Sequence, residues 1–141
     1  MKALVKIGGA ALTAAVALAG AAPVSAHHSF AMFDQKKVVN LVGTVKDFQW
    51  TNPHAFIEIE VPPQAGGPAE SWSVEMNSPN NLTRQGWKRN SVKVGDKVKC
   101  LINPLRDGNK GGLFIAVTLP DGKTLGDATK AGSGEINVTR P

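Results

Sequence analysis

The chain has 141 residues, 42% of them hydrophobic, a formal net charge of +5 at pH 7 and a single cysteine, Cys100. One cysteine cannot form an internal disulfide, so burial of apolar side chains must hold the fold together. So short a chain suits one domain with a modest core and leaves no room for two.

The first 26 residues have the order of a secretory signal peptide. Lys2 and Lys6 are followed by the uncharged stretch IGGAALTAAVALAGAA and then by the small-residue triplet VSA. The apolar stretch is shorter than the roughly 20 residues that a membrane-spanning helix needs. We therefore expect cleavage after Ala26, a periplasmic or secreted bacterial protein, and no stable membrane insertion after cleavage. The alternative is an uncleaved N-terminal anchor.

Cleavage would also lower the charge of the chain. It would remove two of the 16 basic residues and leave 14 against 11 acidic ones, a formal charge of +3. Binding driven by phosphate groups needs many clustered Lys and Arg side chains. We therefore expect no nucleic-acid partner.

Apolar alternation typical of β-strands appears in five segments, each bounded by Gly, Pro or Asn. The segments are VVNLVGTVKDFQW, HAFIEIEV, SWSVEM, DKVKCLIN and GLFIAVTL. In the second, alternate residues from Ala55 to Val61 share one face, while His54, Phe56 and the two glutamates share the other. Gly43 lies inside the first segment, where a residue without a Cβ permits a bulge and a sharp bend.

A short helix is predicted over residues 79–85, between the third and fourth strands. Ser78 can cap it, Pro79 fits its first turn, and Gly86 can end it in the left-handed conformation. Cys100 alternates in phase with apolar neighbours in the fourth strand, which indicates a buried small side chain.

Three strands, a short helix and two more strands is the element order of the OB-fold. We therefore predict an all-β protein with one short helix, folded as an OB-fold-like five-stranded Greek-key barrel. The domain is expected over residues 27–123, and residues 124–141 are expected to form a flexible C-terminal tail. Another small β-barrel or a sandwich is the alternative.

OB-folds bind ligands across strands two and three, and between the loops that join strands one to two and four to five. The residues of these loops that we expect to bind a ligand are Trp50, Asn52, Arg106 and Lys110. They predict a cleft between residues 50–54 and 103–112 for a polar small molecule, a glycan or a segment of a partner protein. Alternatively, Asn52 and Pro53 only shape the turn, and Trp50 closes the barrel.

A resemblance to a known family runs from His27 to about Leu125. It is carried by HHSFAMFD, GTVKDFQWTNPHAFIEIEV, SWSVEMNSPNNLTRQGW, VGDKV, NPLRDGNKGG and LPDGK. These segments resemble an uncharacterised family of small exported bacterial proteins, classified as a domain of unknown function. The resemblance implies export, a small β-barrel and the pairing of an HHSF start with a TNPHA loop. It implies no activity.

The histidines suggest a metal site. Cleavage after Ala26 would place an α-amino group on the same residue as the imidazole of His27, and these two nitrogens can chelate one metal ion. A third nitrogen from His54, or from His28, would complete a set that suits Cu(II). We therefore expect copper as the candidate cofactor. In this feature only, the arrangement resembles the amino-terminal histidine sites of exported copper-binding proteins and copper monooxygenases, which are immunoglobulin-like sandwiches.

The first residues of the mature chain would have to bring His27 to the fold. We expect Phe30 and Phe33 to anchor this segment, with His27 and His54 at the same end of the barrel. Possible auxiliary ligands are Met32, Asp34, Glu58 and Glu60, although core packing is the better interpretation of Met32. The alternatives are a terminus without a role and a loop histidine that bonds a nearby carbonyl.

Catalytic motifs are not apparent in the sequence. It contains no Gly-x-Ser-x-Gly, paired-cysteine or phosphate-loop pattern. We therefore predict a binding protein rather than an enzyme, with no catalytic residues.

Overall fold

The computed structural model describes residues 30–63 and 66–131, and the backbone of residues 136–139. The predicted signal peptide, His27 and His28 lie outside the described residues. Within those ranges, no helix is both long enough and apolar enough to cross a membrane.

The described part of the chain is mostly β-structure. Its elements are β1 (Val38–Gln49), β2 (Phe56–Val61), β3 (Glu70–Glu75), α1 (Pro79–Arg84), β4 (Lys97–Pro104), β5 (Gly111–Thr118), β6 (Thr124–Gly126) and β7 (Ile136–Thr139), with short 3-10 helices at Phe30–Met32 and Ala128–Ala131. The five predicted strands and the predicted helix therefore form where the sequence places them.

Strands β1 to β5 close into a barrel. The order around it is β1, β2, β3, β5, β4 and back to β1, with β3 and β5 parallel and the other neighbours antiparallel. This closure, together with a helix between β3 and β4, confirms the OB-fold-like five-stranded barrel.

Gly43 lies where β1 changes partners. The first half of β1 pairs with β4 and the second half with β2. A Cβ atom built on Gly43 would lie 2.3 Å from the backbone oxygen of Glu60. The glycine therefore allows the backbone of β2 to approach β1 closely at this point. The register shift itself lies between Val45 and Asp47, so the bulge is displaced from the glycine where the sequence permitted one.

The predicted alternation describes the core correctly. Ala55, Ile57, Ile59 and Val61 are all buried, as are Trp72, Val74 and Met76 of the third segment. Trp87 follows α1, is 2% exposed, and packs edge-on against Phe114 at a centroid distance of 5.3 Å. Cys100 is buried, and this burial raises the pKa of its thiol far above the usual range. Its side chain therefore serves as an inert small apolar group.

Helix α1 has the predicted ends. The hydroxyl of Ser78 accepts a hydrogen bond from the backbone N–H of Asn81 at 3.4 Å, and Pro79 occupies the first turn. Gly86 follows the helix with a φ of 87°, in the left-handed region that glycine tolerates.

Secondary structure continues beyond residue 123, where the sequence placed the end of the domain. Strand β6 pairs with β5, and β7 pairs with the start of β1 in parallel. Leu125 packs against the core. Backbone hydrogen bonds to the edges of β5 and β1 hold these short strands, so they need no apolar alternation that a sequence pattern could reveal.

Candidate functional site

The two predicted ligand-binding loops lie at opposite ends of the barrel. Strand β2 begins opposite the end of β3, since Phe56 pairs with Glu75, and it ends opposite Glu70. Residues 50–55 therefore lie at one end, which we call the His54 end. Strand β5 begins beside Ser73 and runs parallel to β3, so the loop 105–110 lies toward the other end, which we call the Lys110 end. A cleft between the loops would run along the whole outer face of β2 and β3.

The imidazole of His54 is held by two acceptors. Its Nδ1 lies 2.8 Å from Oε1 of Glu75 and 3.1 Å from the backbone oxygen of Met76. The backbone oxygen of Met76 can only accept a hydrogen bond, so Nδ1 carries the hydrogen. In the neutral ring, the lone pair is then on Nε2.

Glu75 is a residue of this site that the sequence interpretation missed. Alternation along SWSVEM predicts that Glu75 points outward from β3, opposite to Trp72, Val74 and Met76, yet only 8% of it is exposed. Glu75 pairs with Phe56 across the two strands. His54 lies two residues before Phe56 on the same face, so the carboxylate of Glu75 comes next to its imidazole. The sequence indicates only that both side chains lie on the outer face. Their contact follows from the register between β2 and β3, which the sequence does not give.

Trp50 and Asn52 also lie at the His54 end. Trp50 is half-buried, packs against the core, and meets Phe48 edge-on at a centroid distance of 5.6 Å. Asn52 is exposed, and the peptide bond between Asn52 and Pro53 is cis. Trp50 thus contributes to the packing that closes the barrel.

Arg106 binds the N-terminal segment. Its Nε donates to the backbone oxygen of Ala31 at 2.9 Å, and its Nη1 lies 3.9 Å from Oδ1 of Asp34. Phe33 is buried and forms a β-bridge with Leu105. Residues 31–34 are therefore fixed beside the loop that leads to Lys110.

The expected anchors of this segment behave differently. Phe33 is 3% exposed, whereas Phe30 is 64% exposed and does not anchor the chain, and Met32, expected in the core, is 40% exposed. The reason is that residues 30–32 form a single 3-10 turn outside the barrel, and only Phe33 continues the edge of β4.

Lys110 lies in a small cleft that the sequence did not predict as such. Its Nζ is 3.3 Å from Oε1 of Glu70 and 5.1 Å from the ring centroid of Trp72, whose Nε1 donates to Oε2 of Glu70. The cleft has a volume of about 100 Å³ and is lined by Val39, Asn40, Leu41, Val61, Glu70, Trp72 and Lys110. Of the four predicted ligand-binding residues, Lys110 alone is among those that line it.

The described residues contain no group of three or more His, Cys, Asp or Glu side chains that could hold a metal ion. The possible auxiliary ligands have other partners: Glu58 accepts from the hydroxyl of Ser73 at 2.6 Å, and Glu60 lies 3.2 Å from Nζ of Lys46. A copper site built on His27, His28 and His54 stays a prediction, because two of the three histidines lie outside the described ranges.

Solved structures similar to this chain include two crystal structures of the mitochondrial single-stranded DNA-binding protein of S. cerevisiae, one of them selenomethionine-labelled. Each is 12% identical to this chain with a TM-score of 0.46, and the matches cover 62% of this chain and 94% and 93% of the yeast chains. The likeness concerns the fold alone.

These neighbours correct one expectation. We expected no nucleic-acid partner, and both neighbours are single-stranded DNA-binding proteins, so that exclusion is wrong. The physical fault lies in the use of the net charge of the whole chain. OB-folds that bind single strands use a local groove and stacked aromatic rings, which a net charge does not describe.

Sequence comparison identifies the family. No curated protein matches the chain. A family model matches residues 14–123, which span the barrel from β1 to β5. This match confirms the uncharacterised family that the sequence motifs resemble. The chain belongs to the family of unknown function DUF6152.

Proposed function

We propose that this protein is exported to the periplasm, and that its mature form is a binding protein for Cu(II). The ligands in this proposal are the amino group and imidazole of His27, with His28 and His54 as further imidazole ligands. The observation that supports it is the position of His54, whose Nδ1 is held by Glu75 and the backbone of Met76.

This arrangement is the one that metal-binding histidines generally have. Such a histidine donates one ring N–H to a carboxylate or a backbone carbonyl, which orients the ring and makes the other nitrogen the ligand. In His54 that other nitrogen is Nε2. Imidazole and amine nitrogens favour Cu(II) among the common divalent metals.

The distance to the N-terminus limits how His54 could share a copper ion with His27. Phe33 lies beside Leu105, and Leu105 is level with Ser73 across the sheet. His54, by contrast, is level with Asn77. Ser73 and Asn77 are four residues apart, roughly 13 Å in the direction of β3. Leu105 and His54 are also three strands apart across the sheet. Three residues before Phe30 span at most about 11 Å. The proposal therefore has two forms, a shared site that includes His54 and a local site at His27 and His28.

Native mass spectrometry of protein purified from an exporting host tests the proposal directly. We expect a chain that begins at His27 and retains one copper ion. A mature chain that begins at Pro23 would contradict chelation by the His27 amine, and a chain that begins at Met1 would contradict export.

Substitution of Glu75 tests whether His54 is part of the site. Glu75→Gln removes the charge that supports the Nδ1–H of His54, so we expect copper affinity to fall about tenfold if His54 is a ligand. The matched control is Glu58→Gln, which lies on the same face but bonds Ser73. Nitrogen-15 NMR of the imidazole reports the tautomer, and calorimetry reports the affinity. Equal affinity in both variants would remove His54 from the site.

The alternative function is that of an OB-fold module that binds a polar small molecule, a glycan or a segment of a partner protein between residues 50–54 and 103–112. Since these loops lie at opposite ends, such a ligand would extend along β2 and β3, past the half-buried Phe56. Binding there should survive an added residue before His27, which separates this function from copper chelation.

A further inference from the structure

Charges are segregated along the folded chain. Residues 47–83 contain no Lys or Arg but five acidic residues, whereas residues 84–99 contain six cations and one acid. The acidic residues of the first stretch are Asp47, Glu58, Glu60, Glu70 and Glu75, and the cations of the second are Arg84, Lys88, Arg89, Lys93, Lys97 and Lys99. The first stretch contains the end of β1, all of β2 and β3, and most of α1, and the second runs from the last residue of α1 into the start of β4. Residues 84–99 therefore form a basic region that contains a single acidic residue, Asp96.

All six cations of residues 84–99 are exposed, and we call this set, together with Val94, the basic crest. The polypeptide beneath it is held by the fold. Trp87 and Val92 are buried in the core, and between them the backbone N–H of Ser91 donates to the carbonyl of Lys88, while the Ser91 hydroxyl accepts from the N–H of Lys88. Lys88, Arg89 and Lys93 are thus presented on ordered turns, while Arg84 ends α1 and Lys97 and Lys99 lie in β4.

The second turn of the crest carries an exposed apolar side chain. The carboxylate of Asp96, the one acid in the stretch, accepts from the N–H of Lys93 at 2.9 Å, and the N–H of Gly95 donates to the carbonyl of Val45 at 2.9 Å. These bonds fix the turn on β1 and place Val94 at its tip, 68% exposed. Among the described residues, Val94 is the most exposed of the large hydrophobic side chains.

An apolar tip among cations is the combination with which peripheral proteins bind anionic membranes. The apolar side chain enters the headgroup region, and the Lys and Arg side chains approach the lipid phosphates. Each cation near such a surface strengthens binding by about fivefold. A polyanion without an apolar layer would contact the cations but would not bury the side chain of Val94.

We propose that the basic crest docks the mature protein on an anionic phospholipid surface, with Val94 inserted between headgroups. The acidic side chains of β2 and β3 disfavour contact of those strands with the anionic lipid, since like charges repel. This inference goes beyond copper binding and does not depend on it.

The test is flotation of the mature, copper-free protein with vesicles of phosphatidylcholine containing phosphatidylglycerol, compared with vesicles of phosphatidylcholine alone. We expect binding to the anionic vesicles only, and its loss at about 0.5 M NaCl, where charges are screened over a few ångströms. The variant Lys88→Glu/Arg89→Glu/Lys93→Glu should bind at least about tenfold more weakly than the parent. Val94→Ser should bind about threefold more weakly.

The matched control is Lys36→Glu/Lys123→Glu/Lys130→Glu, which changes the net charge equally at exposed positions outside the crest. It should retain most of the binding, and circular dichroism should show both triple variants folded. Equal losses in the two triple variants, or no preference for anionic vesicles, would overturn the proposal.

Binding of an oligodeoxythymidylate by the crest without binding of vesicles would also overturn it and assign the crest to nucleic acid. Copper-loaded protein should bind vesicles as the copper-free protein does, so a failed copper proposal leaves this result unchanged.

Discussion

A glycine added before His27 in the mature chain should weaken Cu(II) binding by about a hundredfold or more. The insertion moves the α-amino group away from the imidazole of His27, which breaks the chelate that the copper proposal requires. Acid should weaken binding as well, because protons compete with the metal for the same nitrogens. Calorimetric titration combined with electron paramagnetic resonance measures both the affinity and the ligand set.

The matched control for this insertion is a glycine added after Pro141, which has the same composition and leaves the amino end intact. His54→Ala separates the two forms of the site. If it weakens binding and changes the spectrum, His54 is a ligand. If it binds as tightly as the parent with the same spectrum, the copper ion is held by His27 and His28 alone, and an unaffected glycine-extended chain would refute amine chelation altogether.

Gly43→Val should lower the free energy of unfolding by about 3 kcal/mol or more. Its Cβ would lie 2.3 Å from the backbone oxygen of Glu60 and 2.9 Å from Cγ2 of Ile59. The first neighbour is a backbone carbonyl of β2, which pairs with β1 from Thr44 onward, so relief requires the two strands to separate rather than a side chain to rotate. Since single domains have only about 5–15 kcal/mol of stability, the loss is a large part of the total.

Urea unfolding followed by tryptophan fluorescence measures this loss, because Trp50, Trp72 and Trp87 all pack in or against the core. Thr44→Val is the control: it places the same valine at the next, half-buried position of β1, where a β-branched side chain is already present, and it should change stability by less than about 1 kcal/mol. A Gly43→Val protein as stable as this control would mean that β2 does not approach β1 closely at Gly43.

The existence of the strands, the helix and the core could be predicted from the sequence because each depends on local chemistry. Alternation assigns Ile57 and Ile59 to the inside whatever strand lies next to them. Ser78 and Gly86 mark the ends of α1 through bonds within a few residues. The element order then restricts the fold to few topologies, and the closed barrel is the one found.

The candidate site could be predicted only in part, because its contacts join distant segments. His54 was identified as a candidate, but the carboxylate that holds it, Glu75, is supplied by the register between β2 and β3. Lys110 was also identified, yet its partners Glu70 and Trp72 come from a strand that reaches it only when the barrel closes.

Local composition thus determined which segments form strands and which side chains face the core, while tertiary structure decided which ends of those strands meet. Two loops that both belong to ligand-binding regions of an OB-fold lie at opposite ends here, because β2 and β3 run the length of the barrel between them. The short strands β6 and β7 also depend on tertiary structure, because they pair with backbone groups on the edges of β5 and β1. Pairing at a strand edge requires no alternation of apolar residues, so the sequence does not reveal it.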